Sequence, residues 1–324
     1  AGAPRGGRGV PADAMKFRAV MENDGVSPGA AGQAMIMHVL TALQRLERAA
    51  DRRGSSGPPS VVLKLSPEEI AICHKGGADE GSQTWSHLPA SKLFQEYRIE
   101  SKRQNRIDLE APIANLMHVF HSCATSDRTA FRLANGRDGS PILGFEFSLA
   151  GNVTDHRVDQ EVPVRVIPEA EAESISEPAL PEPEYQIELP VNLQRLKNVL
   201  EKMRAVGAQF VQVEAAREKP PTGLARAGVG RTSLKLVAEA ELVSIASTFP
   251  SLALVMEGKK MPPPEGPVRL LLSLRRLAEV LAAVQQLNAE AHIACVLQNQ
   301  ALVLYALLPG SLGSLISYTP AVLA

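Results

Sequence analysis

Apolar positions along this chain follow two periods. In residues 34–53, Ile36, Val39, Leu40, Leu43 and Leu46 recur at three- and four-residue intervals, laying an apolar stripe along a helix. The same spacing returns in 191–206, through Leu193, Leu196, Val199, Leu200 and Met203. It returns again in 273–287, through Leu274, Leu277, Leu281 and Val284. A shorter helix is expected over 111–123, with Pro112 in its first turn, where a missing N–H costs nothing. Short strand-like stretches lie between these helices. In the first half they are 15–21, 61–65, 69–74, 84–88, 106–109, 128–133, 142–149 and 162–167. In the second half they are 185–189, 209–215, 233–238, 241–248, 268–272, 292–298, 301–307 and 314–319. Read in order, a strand, a helix and three strands occur four times. The expected class is α+β, with each helix packing one stripe on a sheet and turning the opposite stripe to solvent.

The pattern stops between Pro168 and Glu188. That stretch holds seven glutamates, no Lys or Arg, and prolines at 168, 178, 181 and 183. Such a composition predicts an extended, solvated linker. The expected layout is one domain over 15–167, an acidic Pro-rich linker over 168–184 and a second similar domain over 185–324. Residues 1–14, rich in Gly, Pro and Ala, are expected to be a disordered arm or tag remnant. Gly and Pro also mark surface loops at 51–60, 217–231 and 257–267.

Charge changes the picture once it is sorted by element. The 324 residues carry 34 Lys and Arg against 35 Asp and Glu, for a net charge of -1, which excludes a strongly basic, histone-like chain. Yet the helices at 34–53, 192–206 and 273–287 are net positive, whereas the linker is strongly negative. On the first helix His38, Thr41, Arg45, Arg48 and Arg52 form one polar row. On the third, Arg195, Asn198 and Lys202 do so, flanked by Lys197 and Arg204. The fourth offers Arg275 and Arg276, and the second has only Glu110. One reading is that these bases solubilise exposed faces. The other is a shallow basic surface that touches phosphates without reading bases, suited to nonspecific duplex DNA. With aromatics at 4%, a stacking platform for single strands is disfavoured.

Other chemistry finds little support. Cys73, Cys123 and Cys295 are far apart and odd in number, which argues against a disulfide framework or zinc ribbon and for a reducing compartment. His118 and His121 share a helix face but lack a third ligand nearby, so no metal is expected. The Gly228–Ser233 stretch lacks the GxxxxGK[ST] pattern of a phosphate loop, and GxSxG, HExxH and DxDxDG strings are missing. No catalytic residue and no cofactor is expected. An enzyme with an unrecognised site on the same α+β scaffold is the competing class. No apolar run reaches the length of a membrane span.

Particular strings point further. Met15-Lys16-Phe17-Arg18-Ala19, the run Val162 to Pro168, Glu177-Pro178, Pro181 to Glu184, Leu189-Pro190 and Val199 to Met203 resemble the Hus-one-type subunit of the nine-one-one checkpoint clamp. The fourfold strand–helix–strands order resembles the wider PCNA-like sliding clamp superfamily. The resemblance implies a sliding-clamp fold of two similar domains, each made of two βαβββ units, with helices lining a ring and antiparallel sheets outside. It implies a non-enzymatic nuclear subunit in a heterotrimer with Rad-nine-type and Rad-one-type clamp subunits, encircling double-stranded DNA at damage sites. It also implies a clamp loader and repair enzymes as partners, no membrane, and roles in checkpoint signalling and DNA repair. A homotrimeric replicative clamp is the alternative. DNA contact would then fall on Arg45, Arg48, Arg52, Arg195, Lys197, Lys202, Arg204, Arg275 and Arg276. Subunit contact would fall near 128–133 and helix 111–123 on one side, and near 231–238 and the last helix on the other. In such a ring the near-zero charge suits a protein that slides along phosphates inside without adhering to them outside.

Overall fold

The computed structural model describes residues 15–22, 29–51, 58–75, 82–149, 156–218, 231–255, 264 and 266–322. The described residues fall into two compact units. One holds those up to Lys75 together with Ser86–Glu177, and the other holds 82–85 together with those from Pro178 onward.

The first unit begins β1 (Lys16–Glu22), α1 (Gly29–Asp51), β2 (Ser60–Leu65), β3 (Glu69–Lys75) and β4 (Gln83–Pro89), the last entering the unit at Ser86. It continues α2 (Ala90–Leu93), β5 (Glu96–Glu100), β6 (Ile107–Pro112), α3 (Ile113–Ser122), β7 (Arg128–Asn135), β8 (Pro141–Leu149) and β9 (His156–Pro163). It ends on β10 (Arg165–Val166) and α4 (Glu169–Ser174). One antiparallel sheet runs β5-β1-β7-β8-β9, and a second runs β10-β6-β2-β3-β4. α1 and α3 lie side by side against them. The α1 stripe of Ile36, Val39, Leu40, Leu43 and Leu46 is buried, as is Leu116 of α3. Gln33, at 5% exposure, ties the two helices by donating to the Phe120 carbonyl at 3.3 Å and to Cys123 Sγ at 3.2 Å. Phe131 packs edge-on against Phe94 and Phe145, extending a ring cluster that reaches Phe17 through Tyr97.

The second unit runs β11 (Tyr185–Leu189), α5 (Gln194–Ala205), β12 (Phe210–Arg217), β13 (Arg231–Glu239), β14 (Ser244–Ala253) and β15 (Val268–Ser273). It then runs α6 (Leu274–Val284), β16 (Ala291–Leu297), β17 (Ala301–Leu307) and β18 (Ser314–Pro320), with a 3-10 turn at Gln285–Leu287. Its sheets are β14-β13-β12-β15 and β18-β17-β16-β11. α5 and α6 lie side by side, joined by Gln285 Nε2 donating to Gln194 Oε1 at 3.2 Å. Leu196, Val213, Leu236, Leu277 and Leu304 converge beneath them. The Asn192 carboxamide accepts the Gln194 N–H at 2.9 Å and so starts α5.

Several features differ from the sequence reading. α1 starts at Gly29 rather than 34, because its first residues, Gly-Ala-Ala-Gly-Gln, include the strong helix former Ala but no large apolar side chain to mark a stripe. β6 continues through Pro112, which pairs with Ser60, so α3 begins only at Ile113. The expected single strand at 162–167 is two, β9 and β10, broken at Val164. The stretch 169–174, expected to be extended, is helical. Pro168 sits just ahead of this helix, where proline is tolerated, and Glu169 and Glu171 occupy the first turn, where carboxylates favour the helix dipole. Residues 1–14, loop 219–230 and most of the loops at 51–60 and 257–267 lie outside the described residues.

Candidate nucleic-acid interface

On α1 the buried stripe fixes which side chains face away from the sheets. Arg45 and Arg48 are exposed on that outward side, with His38 and Thr41 half-buried in line with them. Neither arginine has an ion pair or hydrogen bond among the described residues. Arg52 lies outside the described residues. The neighbouring α3 presents Asn115, His118 and His121 outward and contains no Lys or Arg. The first unit's helical surface is therefore positive along one helix only.

In the second unit, α5 exposes Arg195, Asn198 and Lys202 as one row, with Arg204 exposed on its flank. Lys197, on the same flank, is half-buried and sits 4.0 Å from Glu201. α6 contributes less than its sequence promised. Arg275 Nε donates to Glu279 Oε1 at 2.8 Å, one turn on, so the pair is close to neutral. Arg276 is half-buried on the side of the helix, and desolvation lowers its pKa from the ordinary value. The strongest basic surface here is α5, and it stands beside a nearly uncharged α6 face. Among the described residues no cluster of three or more His, Cys, Asp or Glu is placed to hold a metal ion, and no helix is long and apolar enough to cross a membrane.

The expected contact strands need correction. β7 lies between β1 and β8, and β13 lies between β12 and β14, so neither is an edge. The five-stranded sheet of the first unit ends instead on β5 and β9, and the four-stranded sheet of the second unit on β14 and β15. Strand order depends on which distant segments pair, and local periodicity carries no information about that. β14 holds Pro250, a residue tolerated on edge strands, and the turn before it exposes Leu242 at 93%.

The acidic segment is tied to the first unit at several points, although most of its residues stay exposed. Lys64 on β2 donates to the last carbonyls of α4, Ala172 at 3.2 Å and Ile175 at 2.6 Å, and so caps the helix with a cation. Lys64 also lies 3.8 Å from Asp108, which Arg103 grips at 3.0 Å. Arg165 forks onto Glu171 at 2.7 and 2.8 Å and reaches Glu110 as well. Beyond the helix, His87 stands between Glu177 at 3.3 Å and Glu69 at 3.4 Å. The hydrogen bond to Glu177, then that to Glu69, raises the His87 pKa to about 9, and the His87 contact lowers that of Glu69. Sequence composition showed the acids. Their partners, spread from Lys64 to Arg165, are joined only by the fold.

This arrangement predicts a pH response. The folded His87 keeps its proton between its ordinary 6.5 and about 9, where the unfolded chain has lost it. Its stabilisation of the 169–177 segment is complete below about pH 6.5 and fades as pH rises through 9. Proteolysis within 173–182 should therefore accelerate between pH 7 and pH 10 in the wild-type protein. In His87→Gln it should be faster at pH 7 and show far less pH dependence, after correction for the protease's own profile.

Comparison with known proteins agrees with the architecture. The family model for Hus1-like protein matches residues 15–323. Checkpoint protein hus1 of Schizosaccharomyces pombe is 29% identical over 173 residues, 53% of this chain and 58% of the relative. Checkpoint protein HUS1 of Homo sapiens is 28% identical over 198 residues, 60% of this chain and 64% of the relative. Checkpoint protein hus1 homolog of Dictyostelium discoideum is 26% identical over 147 residues, 45% and 53% of the two chains. The aligned stretches thus span between half and two thirds of these curated relatives. The family match, in contrast, runs through both compact units and every helix discussed above, and by it the chain belongs to the Hus1-like protein family.

Proposed function

We propose that this chain is a non-enzymatic subunit of a heterotrimeric sliding clamp that encircles duplex DNA and supports checkpoint signalling and DNA repair in the nucleus. The observation that carries the reading is the Hus1-like match over residues 15–323, with relatives named checkpoint proteins. The fold supports it physically. A strand, a helix and three strands recur from β1, β6, β11 and β15, as two similar clamp domains over 15–167 and 185–324 would require. Each pair of helices turns Lys or Arg side chains outward, on α1 in the first unit and on α5 in the second, which suits contact with phosphates. DNA contact falls on Arg45, Arg48, Arg195, Lys202 and Arg204, with Arg52, Lys197, Arg275 and Arg276 as secondary positions.

Subunit contact falls on the edge strands β9 and β14. An open edge pairs readily with another chain, and obligate partners would remove that hazard. The partners are the Rad-nine-type and Rad-one-type subunits, with a clamp loader placing the ring on DNA. Co-expression with both partners tests the reading. The expected product is one equimolar three-chain ring by sizing and native mass spectrometry. A stable monomer that ignores both partners overturns the proposal, and a trimer of identical chains replaces it with a replicative clamp.

A further inference from the structure

The register of the five-stranded sheet assembles an arginine row on the face turned away from the helices. Arg18 on β1 stands directly opposite Arg98 on β5 and directly opposite Arg132 on β7. All three are exposed, and their neighbours in sequence, Phe17, Ile99 and Phe131, point into the core. Adjacent strands lie about 4.8 Å apart, so three guanidinium groups originate within roughly 10 Å. Like charges placed directly opposite across strands destabilise a sheet.

No ion pair among the described residues relieves that repulsion. Among the described residues, none of the three makes an ion pair or hydrogen bond. Carboxylates are close by in the same sheet, but other bases hold them. Glu100 pairs with Lys16 at 3.5 Å, and Glu22 and Glu96 pair with Arg128 at 3.8 and 4.0 Å. Glu146 and Asp159 pair with Arg157 at 2.8 and 3.6 Å. The row continues across β8 at Gly144 and ends at Glu161 on β9. A side chain at Gly144 would begin 3.5 Å from Arg132 Cγ, so the Arg132 side chain lies across a bare stretch of backbone.

We infer that Arg18, Arg98 and Arg132 form a binding site for a phosphorylated segment of a partner protein, on the sheet face opposite the helices. Guanidinium forks match the oxygens of a phosphoryl dianion, and arginine clusters are a recurring way to hold phosphorylated peptides. The row is too short for a nucleic acid track. A strand of phosphates laid along the row would run on over Glu161, and one laid along the β-strands would run over Glu100 on one side or Glu96, Glu146 and Asp159 on the other. A single phosphoryl group is small enough to meet the three arginines without reaching Glu161 at the end of the row. The site also departs from the expectation that the outer surface avoids phosphate. The inference does not depend on ring assembly.

The test uses the full chain, alone and in its purified complex, with two labelled peptides, Ala-Ala-phosphoserine-Ala-Ala and its unphosphorylated form. Fluorescence anisotropy should show the phosphorylated peptide binding at least about tenfold more tightly. Replacing Arg18, Arg98 and Arg132 together by Gln should remove that difference, and Arg132→Lys should weaken it partially. Arg45→Gln should leave it unchanged. Removing the repulsion should also raise the thermal midpoint of the triple variant by about 2 °C, which guards against reading a folding defect as lost binding. Failure of the wild-type chain to bind the phosphopeptide overturns the inference. Equal binding of both peptides, or undiminished binding by the triple variant, does so as well. If the triple variant instead loses affinity only for a single-stranded oligonucleotide, the row is a nucleic-acid contact and not a peptide site.

Discussion

Reversing Arg45 and Arg195 together to Glu is expected to shorten the residence of the assembled ring on closed duplex DNA and to flatten its salt dependence. Each base that neutralises a phosphate releases counterions and adds about 0.9 to the slope of log affinity against log salt. Losing two such contacts should lower that slope by about 2. Arg45 and Arg195 suit this test because each is exposed on an outward helix face and neither has an ion-pair partner among the described residues. Arg275→Gln is the contrast. Its guanidinium already donates to Glu279 at 2.8 Å, so its removal also frees a carboxylate and should change the slope by less than half as much as either α1 or α5 position. Equal slopes for wild type and the double reversal, measured at several salt concentrations in the intact ring, would remove the helix rows from the DNA-contact surface. A larger effect for Arg275 than for Arg195 would move the contact from α5 to α6.

What could be read without coordinates was whatever repeats locally. The apolar stripes of α1, α5 and α6 placed those helices, and β17 occupies 301–307 as its uninterrupted apolar run suggests. Short or partner-dependent features were lost. α2 has only four residues. β5 alternates as Glu96-Tyr97-Arg98-Ile99-Glu100, but two apolar residues in a five-residue strand are too short a signal to stand out. α4 was hidden by the prolines around it, although only Pro168 touches its start. For the candidate site, the outward bases of α1 and α5 were legible because one buried stripe determines the opposite face. The neutralisation of Arg275 was legible too, as a spacing of four residues from Glu279, but charge counting treated the two separately. The arginine row was not. Arg18, Arg98 and Arg132 are remote in sequence, and a shift of one residue in either pairing would turn the three to opposite faces.

Lys64→Met is expected to release the acidic segment without unfolding the sheet beneath it. The Lys64 ammonium closes the C-terminal end of α4 through two carbonyls, and hydrogen bonds from charged donors contribute roughly 1.5–3 kcal/mol each. Met keeps the apolar stem on β2 and leaves the pairing of Lys64 with Ala71 and Asp108 intact, since both are made through the backbone. Asp108 retains Arg103 at 3.0 Å, so the substitution strands no buried carboxylate. Local opening should therefore become easier while global unfolding changes little. Amide exchange at Ala172 and Ile175, whose N–H groups bond to Pro168 and Ala172 carbonyls, should accelerate by about tenfold or more. Exchange on β2 and β6 should stay near wild type. His87→Gln added to Lys64→Met should loosen 175–177 further, because it removes the second fastening, at Glu177. If exchange in 171–175 is unchanged, the capping bonds do not hold the segment. If β2 and β6 open together with it, the segment is part of the cooperative core of the first unit, and its acidity is then structural rather than a detachable strap.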